Sequence, residues 1–319
     1  MGTLNDEIIR VTGGPTVSDG LRSFCIDNGG ATVAAVVAAG GTLNDILRAF
    51  LNFNGVTYGP LNDMWVQFLA GLGFVGTRDD MEYQWWLGGA SIIPTPLAVA
   101  GLVAWYDPSD MSTMFQDSLG TIPVTDQNQP VGLITDKSGN NFNGRQTTAA
   151  ARPTLKQDGN GNWYLLFDGI DDHLNTDIAG VIQPWTRISA LSQLSWTLGD
   201  AIFGSSTSQA LLLQSGASPQ LNAQSGNTIV VPGVYLTNPM IIEELANSAS
   251  SLVRLNQNAD TLGNLGTGGI PDMVIGLDPN SPTKYGNFGL YGTTVYSSAL
   301  SLANRNIVNA YLNSKSGAY

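Results

Sequence analysis

The one histidine of the sequence, His173, follows Asp171 and Asp172, so a Ser-His-Asp relay would have to be built around it. No nucleophile elbow accompanies it, and the Asp-Asp-His run reads as a turn that caps strand ends. Glu243 and Glu244 are adjacent. On a strand they would point to opposite faces, whereas glycoside hydrolysis needs two carboxylates in one cleft. Oxygen ligands for calcium are the more open possibility. Asp158-Gly159-Asn160-Gly161-Asn162 alternates oxygen-bearing side chains as a calcium loop does, but lacks the glycine and terminal glutamate of an EF-hand. A tight Asn-Gly hairpin before Trp163 accounts for the same residues. Asp168, Asp171 and Asp172 offer further oxygens, so the calcium candidates are Asp158, Asn160, Asp168, Asp171 and Asp172, with no cofactor required. Zinc spacings, a phosphate loop and a dinucleotide fingerprint are all missing.

Tryptophans are the other chemically informative residues. Trp105 and Trp163 lie in strand-like runs and read as core, while Trp185 and Trp196 are the candidates for stacking on a sugar. Cys25 is the single cysteine, which rules out an internal disulfide, and its neighbours Phe24 and Ile26 suit a packed thiol.

Net charge is −12 and the 13 Lys and Arg residues are scattered, so no basic patch exists for nucleic acid or an anionic membrane. With 43% hydrophobic and only 12% charged residues the chain is ordered, and 38 glycines and 15 prolines imply many turns. Met1 to Arg10 is polar and acidic, so no secretory leader is expected. Ala31 to Ala39 is far shorter than the about 20 residues of a membrane span and reads as a buried helix or strand.

The elements that would position these groups divide in two. Before residue 93 a degenerate motif recurs as Thr3-Leu4-Asn5-Asp6, Thr16-Val17-Ser18-Asp19, Thr42-Leu43-Asn44-Asp45, Pro60-Leu61-Asn62-Asp63 and Thr77-Arg78-Asp79-Asp80. Thr as N-cap with an acid three residues on is a helix start. Apolar stripes follow at Leu43, Ile46, Leu47, Phe50 and Leu51, at Leu61, Met64, Trp65, Phe68 and Leu69, and at Met81, Trp85 and Trp86. Short helices of this kind must share one core. Pro94 and Pro96 then force extended backbone. The expected organisation is a helical-repeat domain over 1–93, a linker over 94–98 and a β-domain over 99–319.

In the β-domain, strands are expected at Leu102–Tyr106, Trp163–Phe167, Ala210–Leu213, Thr228–Val231 and Asn287–Tyr291, with a closing helix from an N-cap at Ser301 to Leu312. Four segments carry a resemblance. Ala100-Gly101-Leu102-Val103-Ala104-Trp105-Tyr106-Asp107 is similar to the opening strand of concanavalin A-like (laminin G-like) jelly-roll domains in phage tail and surface proteins. Asp136-Lys137-Ser138-Gly139-Asn140-Asn141 resembles the D-x-S-G-N turn of that family. Leu166-Phe167-Asp168-Gly169-Ile170-Asp171-Asp172-His173-Leu174 resembles its F-D-G-x-D-D-x-L strand and turn. Tyr296-Ser297-Ser298-Ala299-Leu300-Ser301 and the helix to Tyr311-Leu312 resemble its closing segment. The N-terminal repeat resembles helical repeats at the head of other phage structural proteins.

The resemblance implies an α+β multidomain chain, a small helical-repeat domain followed by a concanavalin A-like antiparallel β-sandwich. It further implies a virion structural protein, assembled in the host cytoplasm and not an enzyme. The expected form is a tail- or neck-associated fibre, homotrimeric, docked on portal, adaptor, tail or capsid proteins, with the sandwich meeting host-surface glycan or serving as a spacer. Trp65, Trp85 and Trp86, whose helical spacing reads first as core, are the candidate docking residues. A capsid decoration protein or head fibre, and a stand-alone carbohydrate-binding module, are the alternatives. Glucanases on this fold use a Glu-x-Asp-x-x-Glu strand, which the chain lacks.

Overall fold

The computed structural model describes residues 25, 30–39, 43–53, 93–215, 219–231, 233–234 and 236–319. The chain divides into two units, Met1–Ala100 and Gly101–Tyr319.

In the first unit, helix α1 spans Gly30–Ala38 and α2 spans Leu43–Phe53, and the two pack together. The stripe read from the sequence is the buried side of α2: Ile46, Phe50 and Leu51 turn inward, while Asn44, Asp45 and Arg48 are exposed. On α1 Val33 is buried but Ala35 and Ala38 are exposed, so the apolar run is a one-sided surface helix and not a buried segment. Cys25 is buried, which pushes its thiol up to about 12. The remaining repeats, with Trp65, Trp85 and Trp86, lie outside the described residues.

The second unit is a β-sandwich. Its strands, numbered along the chain, form two sheets whose named pairings are all antiparallel. The first sheet holds β1 (Leu102–Tyr106), β5 (Thr154–Gln157), β6 (Trp163–Asp168), β8 (Trp185–Gln193), β13 (Met240–Ala246), β14 (Ser251–Leu255), β15 (Thr261–Gly263) and β17 (Asn287–Tyr296). Its order is β15-β14-β13-β8-β17-β6-β5, with β1 sharing the β6 side of β17. The second sheet holds β2 (Met114–Phe115), β3 (Leu133–Ile134), β4 (Gly144–Arg145), β7 (Leu174–Thr176), β9 (Ala201–Gly204), β10 (Leu211–Gln214), β11 (Leu221–Gln224), β12 (Thr228–Val231) and β16 (Val274–Ile275). Its order is β12-β11-β10-β9-β16-β7-β4-β3-β2. Inward side chains from both sheets make the core, among them Phe167 stacked on Phe288 at 4.6 Å and, from the second sheet, Phe203, Leu212 and Ala223.

A third layer completes the unit. Helix α3 (Leu302–Ser316) starts at Ser301, whose side chain accepts from the Asn304 N–H, and ends at Gly317 in the left-handed region at φ 62°. It crosses the outer face of the first sheet over β8, β13 and β17. Every residue of β8 and β13 is therefore buried. Among the described residues no helix is long and apolar enough to cross a membrane.

Two buried ionic groups follow from the strand period of two. Glu244 faces the core opposite Arg187, which donates from Nε at 2.7 Å and Nη2 at 2.8 Å, while Nη1 reaches the Ala210 carbonyl at 3.0 Å and the guanidinium lies 4.1 Å from the Phe203 ring centre. Glu243 faces outward to Arg254 at 2.6 Å and to Arg305 and Asn309 of α3, and Arg305 also holds Asp260 at 2.7 Å. Arg187→Met should strand a buried carboxylate and cost about 3–5 kcal/mol, most of which Arg187→Met/Glu244→Leu should recover. Urea denaturation checks this, and a single variant as stable as the parent would sink it.

Candidate functional site at one rim of the sandwich

Register brings three strand ends together: Asn287 pairs with Asp168, and Phe288 with Gln193. Leu194 N–H donates to the Asn287 carbonyl at 3.0 Å, and Tyr285 bridges to Ala201. The turn after β6, the loop between β8 and β9, and the segment before β17 therefore share one rim.

The turn after β6 is held by its own carboxylates. Asp168 Oδ1 accepts from the Ile170 N–H at 2.8 Å, and Asp172 Oδ2 accepts from the Asp168 N–H at 3.1 Å. Gly169 sits at φ 77°, where a Cβ would lie 2.8 Å from that of Asn287, so both conformation and space require glycine. This winding brings carboxylate oxygens of Asp168, Asp171 and Asp172 within 4.8 Å of one another. Asp172 is buried, and desolvation, reinforced by the Asp168 charge, pushes its carboxyl up to about 7. The ring of His173 is fully engaged: Nδ1 lies 2.8 Å from the Asp171 carbonyl and Nε2 lies 3.0 Å from Gln146 Nε2. Gln146 Oε1 takes the Thr148 N–H, so its amide nitrogen donates to His173 Nε2 and Nδ1 carries the proton. No serine is bonded to the ring among the described residues, and the turn reading of this run describes what is found.

The five calcium candidates do not form one site. Asp158 and Asn160 lie in the β5–β6 hairpin, whereas Asp168 is the last residue of β6, roughly 17 Å of strand away. Asp158 Oδ1 caps that hairpin, accepting from the Asn160 N–H at 2.8 Å and the Asn162 N–H at 2.9 Å, while Oδ2 takes the Tyr291 hydroxyl at 3.3 Å. Only Asp168, Asp171 and Asp172 converge.

Trp185 is not a ligand platform. As the first residue of β8 it points into the core at 1% exposure, its indole N–H donating to the Gly268 carbonyl at 3.2 Å. Trp196, in the loop after β8, is half-buried on the rim. Trp105 is core, as read, edge-on to Tyr311 at 5.4 Å.

Sequence reading missed the part played by Asp107 and Asp136. Asp136 accepts from the Trp105 N–H at 2.9 Å and the Ser138 hydroxyl at 2.6 Å, clasping β1. Lys137 Nζ sits between Asp107 at 3.2 Å and Asp110 at 2.7 Å, and Tyr311 donates to Asp107 at 2.6 Å. The signal was the D-x-S-G-N turn itself, whose acid has to bind something.

No protein-family model and no curated protein matches the chain. Among solved structures it is similar to domain 4 of an extracellular arabinanase from Geobacillus stearothermophilus, in complex with arabinotriose, at 11% identity over 66% of this chain and 97% of that one, with a TM-score of 0.45. It is also similar to Trypanosoma rangeli sialidase, at 10% identity over 71% of this chain and 35% of that one, TM-score 0.44. A family 54 α-L-arabinofuranosidase is similar at 10% identity over 59% of this chain and 52% of that one, TM-score 0.46. The expectation that the chain is not an enzyme is withdrawn: the solved structures similar to it are of an arabinanase domain, a sialidase and an arabinofuranosidase.

A carboxyl raised to about 7 favours its protonated form in the folded state. The stability it contributes is fully present below about pH 4 and is lost as pH rises through about 7. Asp172→Asn should flatten the fall in Tm between about pH 5 and about pH 8, raising Tm most at the alkaline end. Melting curves across that range check this, and parallel profiles for the two proteins would refute it.

Proposed function

We propose that the chain is a virion structural protein of a tailed bacteriophage, a tail- or neck-associated, fibre-like subunit whose β-sandwich projects from the particle and meets host glycan at the rim. The observation that supports this reading is that the four segments similar to phage laminin G-like domains interlock. The first, ending in Asp107, lies along β17, with the Ser297 N–H on the Gly101 carbonyl at 2.9 Å. The Asp136 turn clasps its Trp105, and the Asp168 turn abuts Asn287 at the far end of β17. The closing helix returns Tyr311 to Asp107. Three of the segments thus bind one another and the Asp168 segment reaches them through β17, which supports a concanavalin A-like jelly roll as the finer description of the sandwich.

In this reading the N-terminal repeat, with Trp65, Trp85 and Trp86, docks on portal, adaptor, tail or capsid proteins, and the subunit is a homotrimer. Trp196 is the glycan contact. The rim also offers calcium the oxygens of Asp168, Asp171 and Asp172. Calcium on the order of millimolar should then raise the Tm of the parent and not of Asp172→Asn, as differential scanning fluorimetry would show.

Immunogold electron microscopy of phage particles, with antibody against residues 99–319, tests the main reading. Label at tail or neck is expected. Label over the capsid would replace the fibre with a decoration protein, and particles without label would overturn the virion reading in favour of a free carbohydrate-binding module.

A further inference from the structure

We infer that Gln214 is a positioning residue that holds Trp196 ready as a stacking platform for a pyranose ring, an inference that rests on the glycan reading of the rim. The loop leaves β8 after Gln193, enters β9 at Ala201, and contains no regular element. Trp196 is half-buried at its centre, and Leu198 beside it is 61% exposed.

Gln214 ends β10 with its side chain buried at 1% exposure. Its Oε1 accepts from the Thr197 N–H at 2.8 Å, and its Nε2 donates to the Ser195 carbonyl at 2.8 Å. One amide thus grips the peptide groups on both sides of Trp196. The same nitrogen donates to Gln193 Oε1 at 2.9 Å, tying the clamp to the end of β8. Main chain reinforces it: the Gln214 N–H meets the Asp200 carbonyl, and the Gly199 N–H meets the Gln214 carbonyl, both at 2.8 Å. Lys284 Nζ holds the Leu198 carbonyl at 2.7 Å from across the rim.

A loop that only joins two strands has no need of this. Among the described residues Gln193 Nε2, fully buried, meets no hydrogen-bond partner, while its Oε1 is given to Gln214. What the clamp secures is the main chain that carries one half-buried aromatic ring on the rim. A rigid indole presents an apolar face to the C–H face of a sugar at little entropic cost, and fixing it beforehand removes the ordering penalty from binding. Gln214 is neutral, so the amide clamp itself places no charge beside the ring, and the Lys284 ammonium is turned to the Leu198 carbonyl. The ligand class is therefore a pyranose oligosaccharide recognised by stacking.

The test begins with the full chain on a panel of cello-, xylo-, manno- and galacto-oligosaccharides, followed by titration calorimetry with the best binder. Trp196→Ala should abolish binding. Gln214→Leu, and Gln214→Glu, which keeps the acceptor but cannot donate to Ser195, should each weaken it roughly tenfold. Hydrogen exchange at the Thr197 amide reports the clamp without any ligand, and near-ultraviolet circular dichroism confirms that each variant is folded. Folded Gln214 variants with an unprotected Thr197 amide and parent-like affinity would overturn the positioning role while leaving the glycan reading intact. A parent chain that binds none of the oligosaccharides would overturn the glycan reading and the platform with it.

Discussion

Adjacent residues of a strand face opposite ways, and in β13 the two that do so are both glutamates. Glu244 enters the core and is matched by Arg187, which continues to a carbonyl and an aromatic ring of the second sheet. Glu243 turns outward and is matched by Arg254 and Arg305, with Asp260 balancing the second guanidinium. Both groups are therefore neutral as wholes, one pair within the core and one quartet beneath the helix. A slip of β13 by one residue would present each carboxylate to the wrong layer, leaving buried charges unpaired on both sides of the sheet. One dipeptide thus ties three layers into a single register.

Helix α3 has a second effect. By lying across β8, β13 and β17 it withdraws much of the outer face of the first sheet from solvent. The loops at the ends of the strands are left as the places where polar and aromatic side chains can meet a partner, and the rim beside Asn287 gathers three carboxylates and a half-buried tryptophan.

How much of this could be read from the sequence depended on how many faces each element buries. Helix α2 buries one side only, and its apolar spacing shows it, whereas β12 buries alternate residues of an unbroken Ile-Val-Val run. The closing helix announced itself through Ser301. Strands β8 and β13 bury both sides, so no alternation marks them, and β13 with its two glutamates did not look like a strand at all. The two-residue strands β2, β3, β4 and β16 are too short for any pattern. Trp185 was placed with Trp196 because nothing local tells a strand tryptophan from a loop one. Asp158 and Asp168 stand close in sequence, but the length of the extended strand β6 lies between them. Gln214, a neutral amide ending an apolar run, gave no chemical signal, and its role rests on which loop the sheet order brings beside it.

The strand at the heart of the first sheet is also the last of the described strands to be made. Strand β17 borders β8 on one side and both β1 and β6 on the other, yet it begins at Asn287, after every other described strand of the sandwich. While the ribosome is still adding the residues before it, β1 and β6 have been synthesised without the strand they share, and β8 lacks one of its two neighbours. Local pairs such as β5–β6 and β13–β14 can form during synthesis, but the sheet cannot close until β17 emerges. Folding of the sandwich is consequently a late, concerted event, and a nascent chain arrested before Asn287 exposes the edges of an unfinished sheet.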